Sequence, residues 1–375
     1  MFIMVDESHD VAALSWVASA NTLKTDFPLQ NLPFGVFRTE VDRTPRIGVR
    51  IGESVLDVRR LLDTDAIKVH PVEGDALRQK TLNAWMALGR RSSSALRRKL
   101  FALLHASTEG AVREAVSDCL VPARACKMML PSQIGDFTDF YTSIHHARRA
   151  GELVRPDAPV HPNFRSIPIA YHGRSSSVTV SGAPCRRPRG QTSETSGYQP
   201  TTKLDFELEV GLYVGENTDP ANRFSVDSAE DHLFGLCLVS DWSARDIQRW
   251  EAVPLGPFLA ESFMTSTWVV TAEAIAPFRV VAAARGDDAP PLAAQLASDS
   301  HAVSAAIDIS LRATLQSRGM KEAGIAGVDV ANPNFKDQYW SVSQMLTHHT
   351  SNGCPLRSGD LISSGTVSGP ERNNS

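Results

Sequence analysis

The chain has 375 residues, 42% hydrophobic and 21% charged, with 24 glycines, 22 prolines and a formal net charge of −4. That length suits two or three domains, or one large core with a smaller partner, and the slightly acidic balance argues against a general nucleic-acid groove. No run of 18 apolar residues offers a membrane span, and the opening MFIMVDESHD lacks the basic region of a secretion signal. Five cysteines (Cys119, Cys126, Cys185, Cys237 and Cys354) are odd in number, widely spaced and form no CxxC pair. Neither a zinc knuckle nor a disulfide scaffold is suggested, and reduced thiols in a cytoplasmic protein are expected.

Residues 47–58, IGVRIGESVLDV, alternate around Gly-Glu-Ser and predict a hairpin in a small β domain. Between about 72 and 104 the period changes. Leu77, Leu82, Trp85 and Met86 recur at helical spacing. Ala95, Leu96, Leu100 and Leu103 do so again beyond a polar stretch at Arg90–Ser94, which predicts two helices. A boundary is expected near 105–130. Beyond it, Pro/Gly-rich segments separate short strands at Val178–Val180, Leu204–Val214, Leu236–Val239 and Trp268–Val270. Strands without regular helices between them favour a mixed sheet or sandwich over a doubly wound fold. Residues 283–293 predict an exposed loop. Residues 339–349, YWSVSQMLTHH, predict a helix stopped by Asn352-Gly353.

The strand LDFELEVGLYV is unusual. With period two, Asp205, Glu207 and Glu209 share one face, opposite Phe206, Leu208 and Val210. Like charges so spaced repel. A hard divalent cation relieves that repulsion and accepts oxygen ligands. The alternative is a solvated edge strand that discourages aggregation. Two further segments carry chemistry. In IGDFTDFYTSIHHARR, 134–149, Asp136, Asp139, Tyr141, His145 and His146 lie close together. Adjacent histidines on a strand would face opposite ways, leaving one structural. A neutral histidine near an acid suits a general base. In VSDWSARDIQRWE, 239–251, Asp241 follows an apolar run and is either a site carboxylate or a helix cap. A helical turn after it would put Arg245 and Gln248 on one face.

The segments IGDFTDFY, AYHGRSSSV, LDFELE, DWSARDIQRWE, VPLGPFL and LTHHTSNGC resemble the fumarylacetoacetase family. The likeness runs from FPLQNLPFGVF at 27–37 to LRSGDLISSGTVSGPE at 356–371. The resemblance implies a fold mainly β with some α. A small N-terminal SH3-like β domain with helices would span 1–122, and a larger mixed β-sandwich-like roll carrying the site would span 123–375. It also implies a homodimer with no nucleic-acid or membrane partner. Asp139, Glu207, Glu209 and Asp241 would be the metal carboxylates, holding Mg2+ or Ca2+. Tyr141, Arg155 and Tyr171 would hold substrate carboxylate or carbonyl groups. His146 would be the general base. Arg245 and Gln248 would stabilise oxyanion charge, with Gln248 also touching substrate, and Thr366 would meet its distal end.

The implied reaction is hydrolytic cleavage of a carbon–carbon bond in 4-fumarylacetoacetate to fumarate and acetoacetate, the last step of tyrosine and phenylalanine catabolism. The alternatives are another β-keto acid hydrolase or decarboxylase of the same superfamily, or a truncated, catalytically impaired metal-binding relative. Three departures bear on the choice. Ala252 follows Trp250-Glu251 where the family has tyrosine, and Glu261 stands where it has lysine. The family also continues past SGPE into a tail whose glutamate orients the catalytic histidine, whereas this sequence reads ERNNS. Weakened catalysis is the expectation from the last two.

Overall fold

Alternating apolar residues on either side of Gly52 fold back on themselves. In the computed structural model, which describes residues 5–221, 224–252, 256 and 259–374, β1 (Phe34–Arg38), β2 (Arg46–Ile51) and β3 (Ser54–Asp57) make an antiparallel meander. Ile51 pairs with Ser54 across a two-residue turn in which Gly52 takes φ +49°, as such tight hairpins require. The helices that follow include α1 (Pro71–Leu77), α2 (Asn83–Met86) and α3 (Gly89–Leu104). The polar stretch Arg90–Ser94 was expected to separate two helices. It lies instead inside α3, because its side chains find partners far along the chain. Arg90 pairs with Asp231, and the hydroxyls of Ser93 and Ser94 both donate to Glu273.

Two short strands complete this region. β4 (Leu120–Pro122) pairs with β3, and β5 (Lys127–Met129) with β1. The chain then runs through β6 (Phe137–Phe140), α4 (Ile144–Val154), β7 (Ala170–Gly173), β8 (Val178–Val180), β9 (Leu204–Val214) and β10 (Leu233–Ala244). It continues through α5 (Arg245–Glu251), β11 (Glu261–Thr265), β12 (Trp268–Thr271), α6 (Val342–Thr350) and β13 (Leu361–Ser363). The expected strands at 178–180 and 204–214 have those bounds, and the other two are parts of β10 and β12. Residues 283–293 contain no helix or strand. The last expected helix starts later than its apolar pattern, at Val342, where Ser341 and Gln344 form a capping box.

One sheet of 13 strands takes in all of these strands, with the main path β4-β3-β2-β1-β12-β10-β9-β13-β6-β7, and three two-stranded ribbons lie outside it among the described residues. β10 pairs with β12 through Gly235–Leu236 and with β11 through Val239–Ser243, so the sheet divides along this strand. β8 lies against β11. This is the mixed sheet that the strand pattern predicts, in keeping with the sandwich-like roll that the family resemblance implies.

The long strand β9 serves two cores. Val210, Leu212 and Val214 pack with Leu236, Met345, Leu346 and Ile362. Tyr213, on the other face, joins Phe34, Trp85, Leu100, Phe137 and Phe263. Glu207 and Glu209 share the Tyr213 face by parity. The strand is therefore polar on this face near its start and apolar on it farther along, which puts the carboxylates against the rim of a core. No described helix is long and apolar enough to cross a membrane.

Candidate active site and metal centre

Strand register assembles the carboxylates. Glu207 of β9 stands directly opposite Asp241 of β10. Gly211 of β9 pairs with Ser363 of β13, which pairs in turn with Asp139 of β6. Directly paired residues project to one side of a sheet, so side chains from four strands meet on one face. The aromatic pair Phe137 and Phe263, with ring centroids 4.6 Å apart, closes the edge of this cluster toward the core. Asp241 is a strand residue and not a helix cap; the residue capping α5 is Ala244.

Asp139, Glu209 and Asp241 are buried, and one ligand oxygen from each lies within 4.8 Å of the others. Each has a hydroxyl beside one of its two oxygens. Ser363 donates to Glu209 Oε2, Ser243 donates to Asp241 Oδ2 at 3.1 Å, and the Tyr171 hydroxyl lies 3.2 Å from Asp139 Oδ2. The second oxygens, Asp139 Oδ1, Glu209 Oε1 and Asp241 Oδ1, are buried without a partner. Burial pushes all three carboxyls well above the usual carboxylate range, and neighbouring carboxylates push them further. Three orphaned, mutually repelling oxygens are an unfavourable arrangement alone. A hard, oxygen-seeking divalent cation resolves it, so the donor set fits Mg2+ or Ca2+ chemistry.

Glu207 is the expected metal carboxylate that lies outside this group of three. Its Oε1 accepts from Arg245 at 2.6 Å, and its Oε2 accepts from Thr366. Burial alone would raise its pKa, but His146, Arg245 and the Thr366 bond together hold it below the ordinary value. Arg245 also donates to Asp205 at 2.9 Å and to Gln248 Oε1 at 3.1 Å. The helical turn that puts Arg245 and Gln248 on one face is α5 itself. Gln248 Nε2 then donates to Glu261 Oε1 at 2.8 Å, and Tyr171 lies 2.7 Å from Glu261 Oε2. Six side chains thus form a continuous path: Thr366, Glu207, Arg245, Gln248, Glu261 and Tyr171.

His145 and His146 lie in the first turn of helix α4 rather than on a strand, which corrects the strand picture of that pair. Ser143 caps the helix by accepting from the His146 N–H at 3.2 Å. Consecutive helical residues point about 100° apart. The His146 ring meets the edge of Tyr141, with centroids 5.3 Å apart, and its Nε2 is 3.4 Å from Thr366 Oγ1. Burial lowers the His146 pKa, against the pull of Glu207, which favours the neutral ring. Tyr141 is raised to about 12 by burial and by Glu207.

Thr366 reaches this place through a turn that only glycine permits. Gly365 takes φ +70°, and a Cβ there would lie 2.1 Å from the Phe140 carbonyl oxygen. The resemblance gives Thr366 a distal substrate contact, whereas here it stands between His146 and Glu207. Arg155 is not hydrogen-bonded into the cluster. Its guanidinium is 2.9 Å from His161 Nδ1 and donates to the Pro159 carbonyl. The orienting roles of Ser243 and Ser363 escape sequence reasoning. Their signal is parity: each is a small hydroxyl residue on the acidic face of a strand.

Residues 30–131 match the family model described as fumarylacetoacetase N-terminal, and residues 137–375 match fumarylacetoacetate hydrolase C-terminal. The chain is 44% identical over 362 residues to a fumarylacetoacetase of Caenorhabditis elegans, covering 92% of this chain and 83% of that one. It is 42% identical over 363 residues to the fumarylacetoacetase of Homo sapiens, covering 93% and 83% respectively. A solved fumarylacetoacetate hydrolase from psychrophilic Exiguobacterium antarcticum is similar in fold. Its TM-score is 0.50 at 15% identity, over 90% of this chain and 87% of that one.

Proposed function

The chain belongs to the fumarylacetoacetase family, and we infer from that premise that it hydrolyses 4-fumarylacetoacetate to fumarate and acetoacetate, the final step of tyrosine and phenylalanine breakdown. It is an enzyme of the class that hydrolyses carbon–carbon bonds in ketonic substrates. The observation that carries the reading is the group of three buried carboxylates, each leaving one oxygen unpartnered, with a half-buried histidine near Glu207.

Asp139, Glu209 and Asp241 would hold the divalent ion. Glu207, facing Asp241 across the ladder with its oxygens on Arg245 and Thr366, would stand beside that group as a fourth carboxylate. An ion held there would supply positive charge to polarise a substrate carbonyl and to lower the energy of a developing enolate. Neutral His146 accepts a proton from water, and the water oxygen bonds to one carbonyl carbon of the diketone. Arg245 and Gln248 donate hydrogen bonds to the resulting oxyanion. As its carbonyl re-forms, the bond to the carbon between the two carbonyls breaks and leaves its electron pair there as an enolate. Protonation of that carbon by the imidazolium yields acetoacetate and restores neutral His146. Tyr141 and Arg155 donate to the carboxylate and carbonyl ends of the substrate, while Tyr171 and Thr366, whose hydroxyl hydrogens go to Glu261 and Glu207, meet it by packing. Mg2+ or Ca2+ as the ion and a homodimer accompany this reading, supported by the family resemblance, and a cytoplasmic setting accompanies it, supported by the five free cysteines.

Product analysis tests it. Purified protein with Mg2+ should release one fumarate and one acetoacetate for each diketone consumed. Activity confined to decarboxylation of small β-keto acids would contradict it.

A further inference from the structure

We propose that Glu261 is a positioning residue that fixes the orientations of Gln248 and Tyr171 for the reaction. This deepens the function inferred above and rests on it. Glu261 opens β11, opposite Ser243 of β10, and is buried. Both of its oxygens are used, Oε1 by Gln248 Nε2 at 2.8 Å and Oε2 by the Tyr171 hydroxyl at 2.7 Å.

Counting donors fixes what remains. A side-chain amide has two N–H donors and one carbonyl acceptor. In Gln248 the carbonyl accepts from Arg245, and one N–H goes to Glu261. Turning the amide over would set its oxygen against the Glu261 carboxylate and its N–H groups against the Arg245 guanidinium. The amide is therefore locked, and its second N–H remains to meet a substrate oxygen. Tyr171 has a single hydrogen and two carboxylate neighbours, Glu261 at 2.7 Å and Asp139 at 3.2 Å. Glu261 takes it at the shorter distance. That leaves Asp139 Oδ2 without a donated hydrogen and open to a cation.

This accounts for an acid at a position where the resemblance implies lysine. An ammonium group has three donors and no acceptor. Placed at 261, it would face the Gln248 amide N–H, which would have to turn away, while the Tyr171 hydroxyl would accept from it and hand its own hydrogen to Asp139 Oδ2, the oxygen otherwise open to a cation. In this chain the family-like residue is thus expected to disrupt the site. Glutamine keeps one acceptor in the same shape and preserves part of the arrangement.

The test compares wild type with Glu261→Gln and Glu261→Lys in the full chain. The Gln248 side-chain amide is observed first, by NMR of metal-free protein, with the signal assigned from its loss in Gln248→Asn. Wild type should show one amide proton protected from exchange with solvent. Glu261→Lys should exchange it roughly 10-fold faster or more, with Glu261→Gln between them. Equal protection in Glu261→Lys would overturn the proposal. Steady-state turnover of fumarylacetoacetate follows. Glu261→Lys should lower kcat about 10-fold or more while KM moves less than about 3-fold, and Glu261→Gln should recover most of the loss. A Glu261→Lys enzyme as fast as wild type, or faster, would also overturn it. A protected amide lost in Glu261→Lys, in a protein that does not cleave the diketone, would support the hydrogen-bond lock and contradict the proposed function.

Discussion

Thr366 Oγ1 stands 3.4 Å from Nε2 of His146 while donating its one hydrogen to Glu207. A hydroxyl so committed offers the imidazole only a lone pair. Nε2 then carries the ring hydrogen, and Nδ1 keeps the lone pair that accepts a proton. Thr366→Val removes both contacts and is expected to lower kcat by about 10-fold, whereas Thr366→Ser should stay within about 3-fold of wild type. His146→Ala should lower turnover by roughly 100-fold or more, with metal binding nearly intact, and His145→Ala should be much milder. Steady-state kinetics checks the rates, and titration calorimetry checks the metal.

The acidic face gives a graded prediction. Asp241→Ala and Glu209→Ala each remove a carboxylate of the buried group of three and should weaken Mg2+ or Ca2+ binding by roughly 100-fold or more. Glu207→Ala should have a smaller effect, because both Glu207 oxygens already have protein partners. Phe206→Leu should leave affinity unchanged. Phe206 lies on the opposite face, where its ring sits 6.1 Å from that of its cross-strand partner Trp242. Calorimetric titration of the four variants would contradict the assignment if both Asp241→Ala and Glu209→Ala bound the ion as wild type does.

Stability should depend on pH through His349. Burial, with help from His172, depresses its pKa from 6.5 to about 4. The unfolded chain therefore takes up this proton at higher pH than the folded chain does. The associated stability is fully present above about pH 6.5 and is lost as pH falls through about 4, up to about 3 kcal/mol in all. His349→Asn should show a shallower fall in Tm across that window. Parallel Tm profiles for the two proteins would count against the depressed pKa.

Much of the site is legible in the sequence because strands encode faces by parity. The bounds of Leu204–Val214 and its acidic face follow from alternation alone. The turn that sets Arg245 beside Gln248 follows from spacing within SARDIQRW. What is not legible depends on distant partners. Arg90–Ser94 looks like a helix break until Asp231 and Glu273 are placed beside it. Glu207 is indistinguishable from Glu209 along the strand. Only the fold brings Thr366 and Arg245 to one and leaves the other with an unpartnered oxygen. Glu261 is visible in sequence as a reversed charge. Its two hydrogen bonds appear only when β11 and α5 are set beside β7.

The most direct test of a cation-dependent carbon–carbon hydrolase is the rate of loss of diketone absorbance in chelator-stripped protein before and after Mg2+ is restored, for wild type and Asp241→Ala. Wild type should lose activity on stripping and recover it with the ion, while Asp241→Ala should remain at least about 100-fold slower at the same Mg2+ concentration. Full turnover in the stripped wild type, or recovery of Asp241→Ala to the wild-type rate, would contradict the account.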